Sequence, residues 1–432
     1  MGLLAVTLLS SWCHAAQPIA QIYTLEQLFE IAEKKSSQLK PVFSAEAEAR
    51  RGVDEARAKR LPDIEAALSF SYLGDGFTTE RNLSDYQKAP IPHYGNALSL
   101  SVNQPVYTGG AITAGIDLAK LKLTASRYAA ELRRNDLRFQ LTGFYLDIYK
   151  YSNLREVLEH NLAQARKVLV EMNHRFQEGM ALRNDITRYE LLVSNLELEL
   201  IRINNTVNIL NDNLVTIAGL PEQTVVEPDT AILMRSLPDA DADLWIKDAL
   251  SNSPSVKLAR NGVEISRQAE KLAKSEMLPK IGLQAGWNID GPILVEVPPI
   301  NCNLSYWYVG VGVSYSLSSL FKANKSVARS REAILNASDC LEATIENTSL
   351  GVRSDYVKYL EAYEELKTQS KSVELARQNY AVTATRYGSD MALITDMLDA
   401  ANSKLDAEQQ LVNARINIIY YYYKLLFRSG KI

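Results

Sequence analysis

The sequence predicts an α+β membrane protein. A long α-helical coiled-coil barrel carries four β-strands per chain, which build a transmembrane β-barrel together with other copies. Three observations predict it. The chain repeats itself at long range, four segments of about ten residues alternate apolar and polar, and each pair of segments precedes a very long heptad-patterned helix.

The repeat is read directly. Arg175-Phe176-Gln177-Glu178-Gly179-Met180-Ala181-Leu182-Arg183-Asn184-Asp185 returns as Arg386-Tyr387-Gly388-Ser389-Asp390-Met391-Ala392-Leu393-Ile394-Thr395-Asp396, with five of eleven positions identical. Arg60-Leu61-Pro62-Asp63-Ile64 returns as Met277-Leu278-Pro279-Lys280-Ile281, and Ala32 and Lys40 as Ala249 and Lys257. A repeat this long is not a solenoid unit. It implies two copies of one module around a pseudo-symmetry axis: residues 17–218, a Pro- and Asp-rich linker at 219–243, and residues 244–432.

Taken in order, residues 1–16 read as a secretory signal peptide, short, apolar and ending in Cys13-His14-Ala15-Ala16. No Lys or Arg precedes the apolar run, as if the start were cut short. A lipid anchor on Cys13 is the weaker alternative, because bulky Trp12 precedes it. Thr24-Leu25-Glu26-Gln27 starts a helix with a capping pattern. Its periodicity runs toward Arg60, with a possible break near Pro41, and Pro62 ends it.

The period then changes from 3.6 to 2. Ile64, Ala66, Leu68, Phe70 and Tyr72 alternate with Glu65, Ala67, Ser69 and Ser71. Leu98, Leu100 and Val102 alternate with Ser99, Ser101 and Asn103. In the second half, Ile281 to Ile289 and Trp307 to Leu317 do the same. These are four strands in two hairpins, at about 63–107 and 280–318. A soluble sandwich gives the same alternation. Few charges on the polar face and aromatics at the strand ends favour strands crossing a bilayer.

A helix follows each hairpin. From Ile112 to Gly179 there is no proline, and Leu137, Leu141, Phe144, Ile148, Tyr151, Arg155, Leu158, Leu162, Ala165, Leu169, Met172 and Phe176 step by four and three. Such a helix is on the order of 100 Å long. The second half matches it from Ala323 to Tyr387. Return helices run from Asp185 to Ala218 and from Asp396 to Phe427, so the repeated eleven-mers, 175–185 and 386–396, are the turns.

Composition excludes other classes. In 432 residues with net charge −4 there is no basic footprint for nucleic acid. His14, His93, His160 and His174 are scattered, so no metal site and no cofactor are expected. No nucleophile elbow or phosphate loop is visible, which argues against an enzyme. Cys302 and Cys340 fall in separate elements and are not expected to pair.

Four strands cannot close a barrel, and an open edge in lipid leaves unpaired backbone groups at several kcal/mol each. Two chains give eight strands and three give twelve. Small residues beside the seam (Ala119, Ala125, Ala130, Ala163, Ala165) favour helices packed sideways into a wide tube, hence the larger number.

The chain resembles the TolC-type outer-membrane efflux proteins over essentially its whole mature length. The resemblance is carried by Tyr23-Thr24-Leu25-Glu26-Gln27-Leu28, Ala58-Lys59-Arg60-Leu61-Pro62, Asn103-Gln104-Pro105-Val106-Tyr107-Thr108-Gly109-Gly110, the two tip motifs, and Leu411-Val412-Asn413-Ala414-Arg415. It implies a homotrimer with a twelve-stranded barrel in the bacterial outer membrane and a helical tunnel in the periplasm. It further implies a periplasmic adaptor protein and an inner-membrane pump, of antiporter or ABC type, as partners. The function implied is a passive exit duct for solutes exported by that pump. The rival reading is an elongated coiled-coil scaffold without channel activity.

Residue by residue, Asp185 matches a family position that holds the tip closed by bonding to the neighbouring hairpin. Asp396 and Asp399, three apart and so on one helix face, match paired carboxylates at the narrowest part of the pore. Tyr387 joins them as a gate residue. Arg175, Phe176, Gly179, Met180, Ala181 and Leu182, with Arg386, Asp390, Met391, Ala392 and Leu393, form the implied adaptor-docking tip. Two departures stand out. Asp390 replaces the usual Gly, so the second turn need not share the first one's shape. Ala392 stands where the family has the cation that pairs with Asp185, leaving Tyr387 as its available partner.

Overall fold

The computed structural model describes residues 19–229, 241–296 and 299–432. The expected signal peptide and part of the inter-repeat linker lie outside them. The chain divides into two compact units, one of the chain up to Phe43, Ala129–Lys257 and Thr344–Ile432, the other of Ser44–Tyr128 and Leu258–Ala343.

The first half runs β1 (Ile19–Tyr23), α1 (Leu25–Lys35), α2 (Lys40–Ala58), β2 (Asp63–Tyr72), β3 (Gly76–Thr78), β4 (Gln87–Ala89), β5 (Tyr94–Tyr107), α3 (Ala111–Gln177) and α4 (Arg183–Ala218). The second runs β6 (Thr224–Pro228), α5 (Ala242–Asn252), α6 (Pro254–Ser275), β7 (Lys280–Gly291), β8 (Leu304–Ser314), α7 (Ser319–Gly388) and α8 (Ile394–Arg428). The capping pattern at Thr24 is realised: its hydroxyl accepts from Gln27 N at 3.2 Å and Gln27 Oε1 accepts from Thr24 N at 3.0 Å. The break comes at residues 36–39, and Pro41 sits in the first turn of α2, where a missing N–H costs nothing.

The second unit holds a four-stranded antiparallel sheet of order β2-β5-β7-β8, so the two hairpins join through β5 and β7. Register decides what the sheet presents. Ile64, Val102, Ala285 and Val309 stand side by side across the four strands, and Ala66, Leu100, Trp287 and Trp307 form the next row on that face. The opposite face carries rows of Glu65, Ser101, Gly286 and Tyr308, and of Asp63, Asn103, Gln284 and Gly310. The alternation of each strand thus adds up to one apolar and one polar or small-residue face. The apolar face is open to its surroundings: Phe70, Trp307 and Val309 are exposed. β2 and β8 are the edges, each with one side unpaired. No described helix is long and apolar enough to cross a membrane.

The first unit is helical. One core joins Leu137, Leu141, Tyr145 and Ile148 of α3 with Leu28 of α1, Leu214 of α4 and Tyr423 of α8. A second runs along the hairpins, with Leu158, Leu162, Ala165 and Met172 of α3 against Ile186, Tyr189, Val193 and Leu196 of α4 and Met397 of α8. The heptad positions of α3 other than Arg155 and Phe176 therefore lie in these cores, and Phe176 is exposed at the turn. Two features differ from the expectation. β1 pairs in parallel with β6, in the stretch read as plain linker, and a small β3–β4 pair lies in the first hairpin loop. The Asn211 amide clamps β6, donating to Thr224 O at 3.0 Å and accepting from Val226 N at 2.9 Å. The buried Tyr145 hydroxyl donates to Tyr23 O at 2.9 Å and accepts from Asp229 N at 2.7 Å, and burial pushes its pKa up to about 12.

Leu141 is fully buried. Leu141→Ala is expected to cost about 2–5 kcal/mol, read as a lower denaturant midpoint of helical circular dichroism in detergent. An unchanged midpoint would remove Leu141 from the core.

Candidate functional site

Both hairpin turns are built alike. After α3, Gly179 takes φ +78°, Gly179 N donates to Phe176 O at 3.0 Å, and Met180 N donates to Arg175 O at 2.8 Å. After α7, Asp390 takes φ +58°, Asp390 N donates to Tyr387 O at 3.1 Å, and Met391 N donates to Arg386 O at 2.8 Å. This is the Schellman closure, in which a left-handed residue lets the chain reverse over the last carbonyls. Replacing Gly with Asp does not reshape the second turn. Asp is among the few residues that enter the left-handed region, at some steric cost.

Arg175 accounts for that aspartate. Its guanidinium leaves its own turn and reaches the other one. Nη1 donates to Asp390 Oδ1 at 3.1 Å and to Tyr387 O at 3.2 Å, and Nη2 donates to Gly388 O. The same group lies 5.7 Å from the Tyr387 ring centroid and is only 18% exposed. It thus satisfies terminal carbonyls of α7, which lack partners in the helix, and adds a cation where the helix dipole is negative. The quasi-equivalent Arg386 stays at home and donates to Met391 O at 3.3 Å. The clamp runs one way, from the first hairpin to the second. Sequence reasoning placed Arg175 among surface residues; the signal for the clamp was Asp390 at the turn position where the first copy has Gly179.

The carboxylates are distributed unequally. Asp396 Oδ2 accepts from Leu393 N at 3.0 Å, capping α8. Asp396 and Asp399 are both exposed, opposite the buried Ile394, Met397 and Ala400. At the position of Asp399 the first copy has Arg188, so paired acids belong to the second hairpin alone. Asp185 is half-buried in the first turn of α4. Burial, and after it the Asp185 carboxylate, push the Tyr387 phenol above its usual range, against the pull of Arg175. Phe176, Met180, Leu182, Met391 and Leu393 are exposed, and Ala181 and Ala392 half-exposed. The turns therefore offer a small apolar surface ringed by charge, with acids inside the second turn. Among the described residues no group of His, Cys, Asp or Glu could hold a metal ion.

The family described as outer membrane efflux protein matches residues 28–220 and 245–419. The chain belongs to the outer membrane efflux protein family. It is accordingly an outer-membrane protein of the TolC type, with an efflux role. It is 23% identical over 409 residues to the outer membrane protein TolC of Vibrio cholerae, covering 91% of this chain and 88% of that one. It is 21% identical over 385 residues to the outer membrane efflux protein BepC of Brucella suis, covering 86% and 80%. The solved structure of VceC from Vibrio cholerae aligns with a TM-score of 0.78 at 17% identity over 94% of this chain and 96% of that one. The outer-membrane channel OprN aligns at 0.79 with 16% identity over 94% and 90%. At such identities the structures show a shared fold.

Arg175→Ala is expected to loosen the second turn by about 1–3 kcal/mol, as for lost hydrogen bonds to a charged donor, seen as faster amide exchange of Met391. Asp390→Gly should cost less than about 1 kcal/mol, since glycine relieves the left-handed strain while an exposed ion pair contributes little. Equal exchange in wild type and Arg175→Ala would contradict the clamp.

Proposed function

We propose that this protein is the outer-membrane exit duct of a tripartite efflux or secretion system, passively conducting solutes delivered by an inner-membrane pump through a periplasmic adaptor. The observation that carries this reading is the incomplete sheet: an exposed apolar face, a polar opposite face, and unpaired edges on β2 and β8. Lipid tolerates a sheet only when every edge is paired. Because the strands alternate in direction, β8 of one copy meets β2 of the next antiparallel, and head-to-tail repetition closes a ring. Three copies give twelve strands. Two unpartnered apolar stripes support the same repetition: Leu191, Leu198 and Ile201 on α4, and Leu350, Val357 and Leu360 on α7.

In such a homotrimer, Asp396 and Asp399 contribute six carboxylates to the periplasmic mouth, a ring that favours cations and resists crowding. Asp185 and Tyr387 flank it as gate residues. The exposed turn surface, Gly179 to Leu182 and Asp390 to Leu393 with Arg175, Phe176 and Arg386 behind it, is the docking surface for the adaptor. The duct performs no chemistry and needs no cofactor.

In planar bilayers the wild type should pass cations preferentially, and Asp396→Ala with Asp399→Ala should lower that preference several-fold. Unchanged ion selectivity would remove the acids from the pore.

A further inference from the structure

Inside the turns, the apolar seam of α8 is interrupted. Ile394, Met397 and Ala400 are buried, and the next buried positions are Lys404, Ala407 and Glu408, the two charged ones each 5% exposed. Neither belongs to the turns or to the exposed acids. Lys404 Nζ donates to Gln164 Oε1 of α3 at 2.5 Å and sits 4.8 Å from the Tyr380 ring centroid of α7. Glu408 accepts from Arg377 Nε of α7 at 2.8 Å and from Asn161 Nδ2 of α3 at 2.8 Å. The buried Tyr189 of α4 packs in the same cluster as Tyr380. All four hairpin helices thus meet in one polar layer. Desolvation pulls the Lys404 ammonium down, with Glu408 opposing it.

The layer is specific to one register. On α3 its partners are flanked by buried Leu158, Leu162 and Ala165, so a shift of α8 by one helical turn would part Lys404 from Gln164 and Glu408 from Asn161 and set one of the two charges against apolar side chains. A buried charge without its partner is strongly unfavourable, and polar groups within an apolar seam are known to fix helix register. Toward the turns, by contrast, the hairpins are joined across their surface by the Arg175 clamp and by apolar contacts that have no preferred partner atom.

We propose that the Lys404–Glu408 layer is the pivot of the hairpins. It holds α3 and α4 in register with α7 and α8, and it confines separation of the two turns to the stretch beyond it: residues 165–177 of α3, 381–388 of α7 and 394–403 of α8. This goes beyond the duct reading and stands without it, because the layer lies within one chain.

Hydrogen–deuterium exchange on the full-length, detergent-extracted protein tests it without any measurement of conduction. In Arg175→Ala, exchange should rise at least tenfold in 381–388 and 394–403 and stay unchanged in 409–419. Adding Glu408→Leu should carry the rise past residue 408, while adding Glu408→Gln, which keeps acceptor and shape, should restore the boundary. If Glu408→Leu does not assemble, Lys404→Met in its place removes the charge at similar volume and should carry the rise past 408. A rise that passes residue 408 in Arg175→Ala alone, or a boundary unmoved by Glu408→Leu or Lys404→Met, overturns the proposal.

Discussion

Backbone hydrogen bonding in a medium without water is the constraint on which the rest depends. Each residue of β2 and β8 can pair on one side within the chain, and in the proposed barrel lipid offers nothing for the other side. The same register that gathers Ile64, Val102, Ala285 and Val309 onto one face leaves that face unsuited to water. A single copy is therefore incomplete in two independent ways, by edge and by face. Repetition of the chain answers both, and the apolar stripes of α4 and α7 fit the same repetition. Assembly, in this account, is a condition of the sheet and not an addition to it.

The duplication explains the turns and also where they diverge. Each hairpin reverses through one left-handed residue, which Gly179 supplies without strain. Asp390 enters the same conformation and in return offers a carboxylate to Arg175. The result is a directional link between halves that began as equivalent. The second hairpin alone also carries paired acids and the buried charges of α8. The first copy supplies the guanidinium that Asp390 meets and the amides of Asn161 and Gln164 that Glu408 and Lys404 meet.

Much of the fold was legible because its signals are local and repeated. Alternation from Ile281 to Ile289 marks β7, and the absence of proline along α3 and α7 leaves nothing to end them. What escaped lacks such a signal. β1 is five residues long, shorter than any period can reveal, and its partner β6 lies in the opposite half of the chain. The Arg175 clamp depends on where two distant turns meet, which no local pattern encodes. Lys404 and Glu408, four apart in a charged helix, look like an exposed pair; only their place on the spacing set by Ile394, Met397 and Ala400 marks them as buried.

The most direct measurement is the mass of the particle extracted from the outer membrane in mild detergent, by native mass spectrometry. The account predicts a single species of three chains, supplying twelve strands to one closed barrel. A monodisperse single chain, or a protein that stays soluble and folded without detergent, would contradict it.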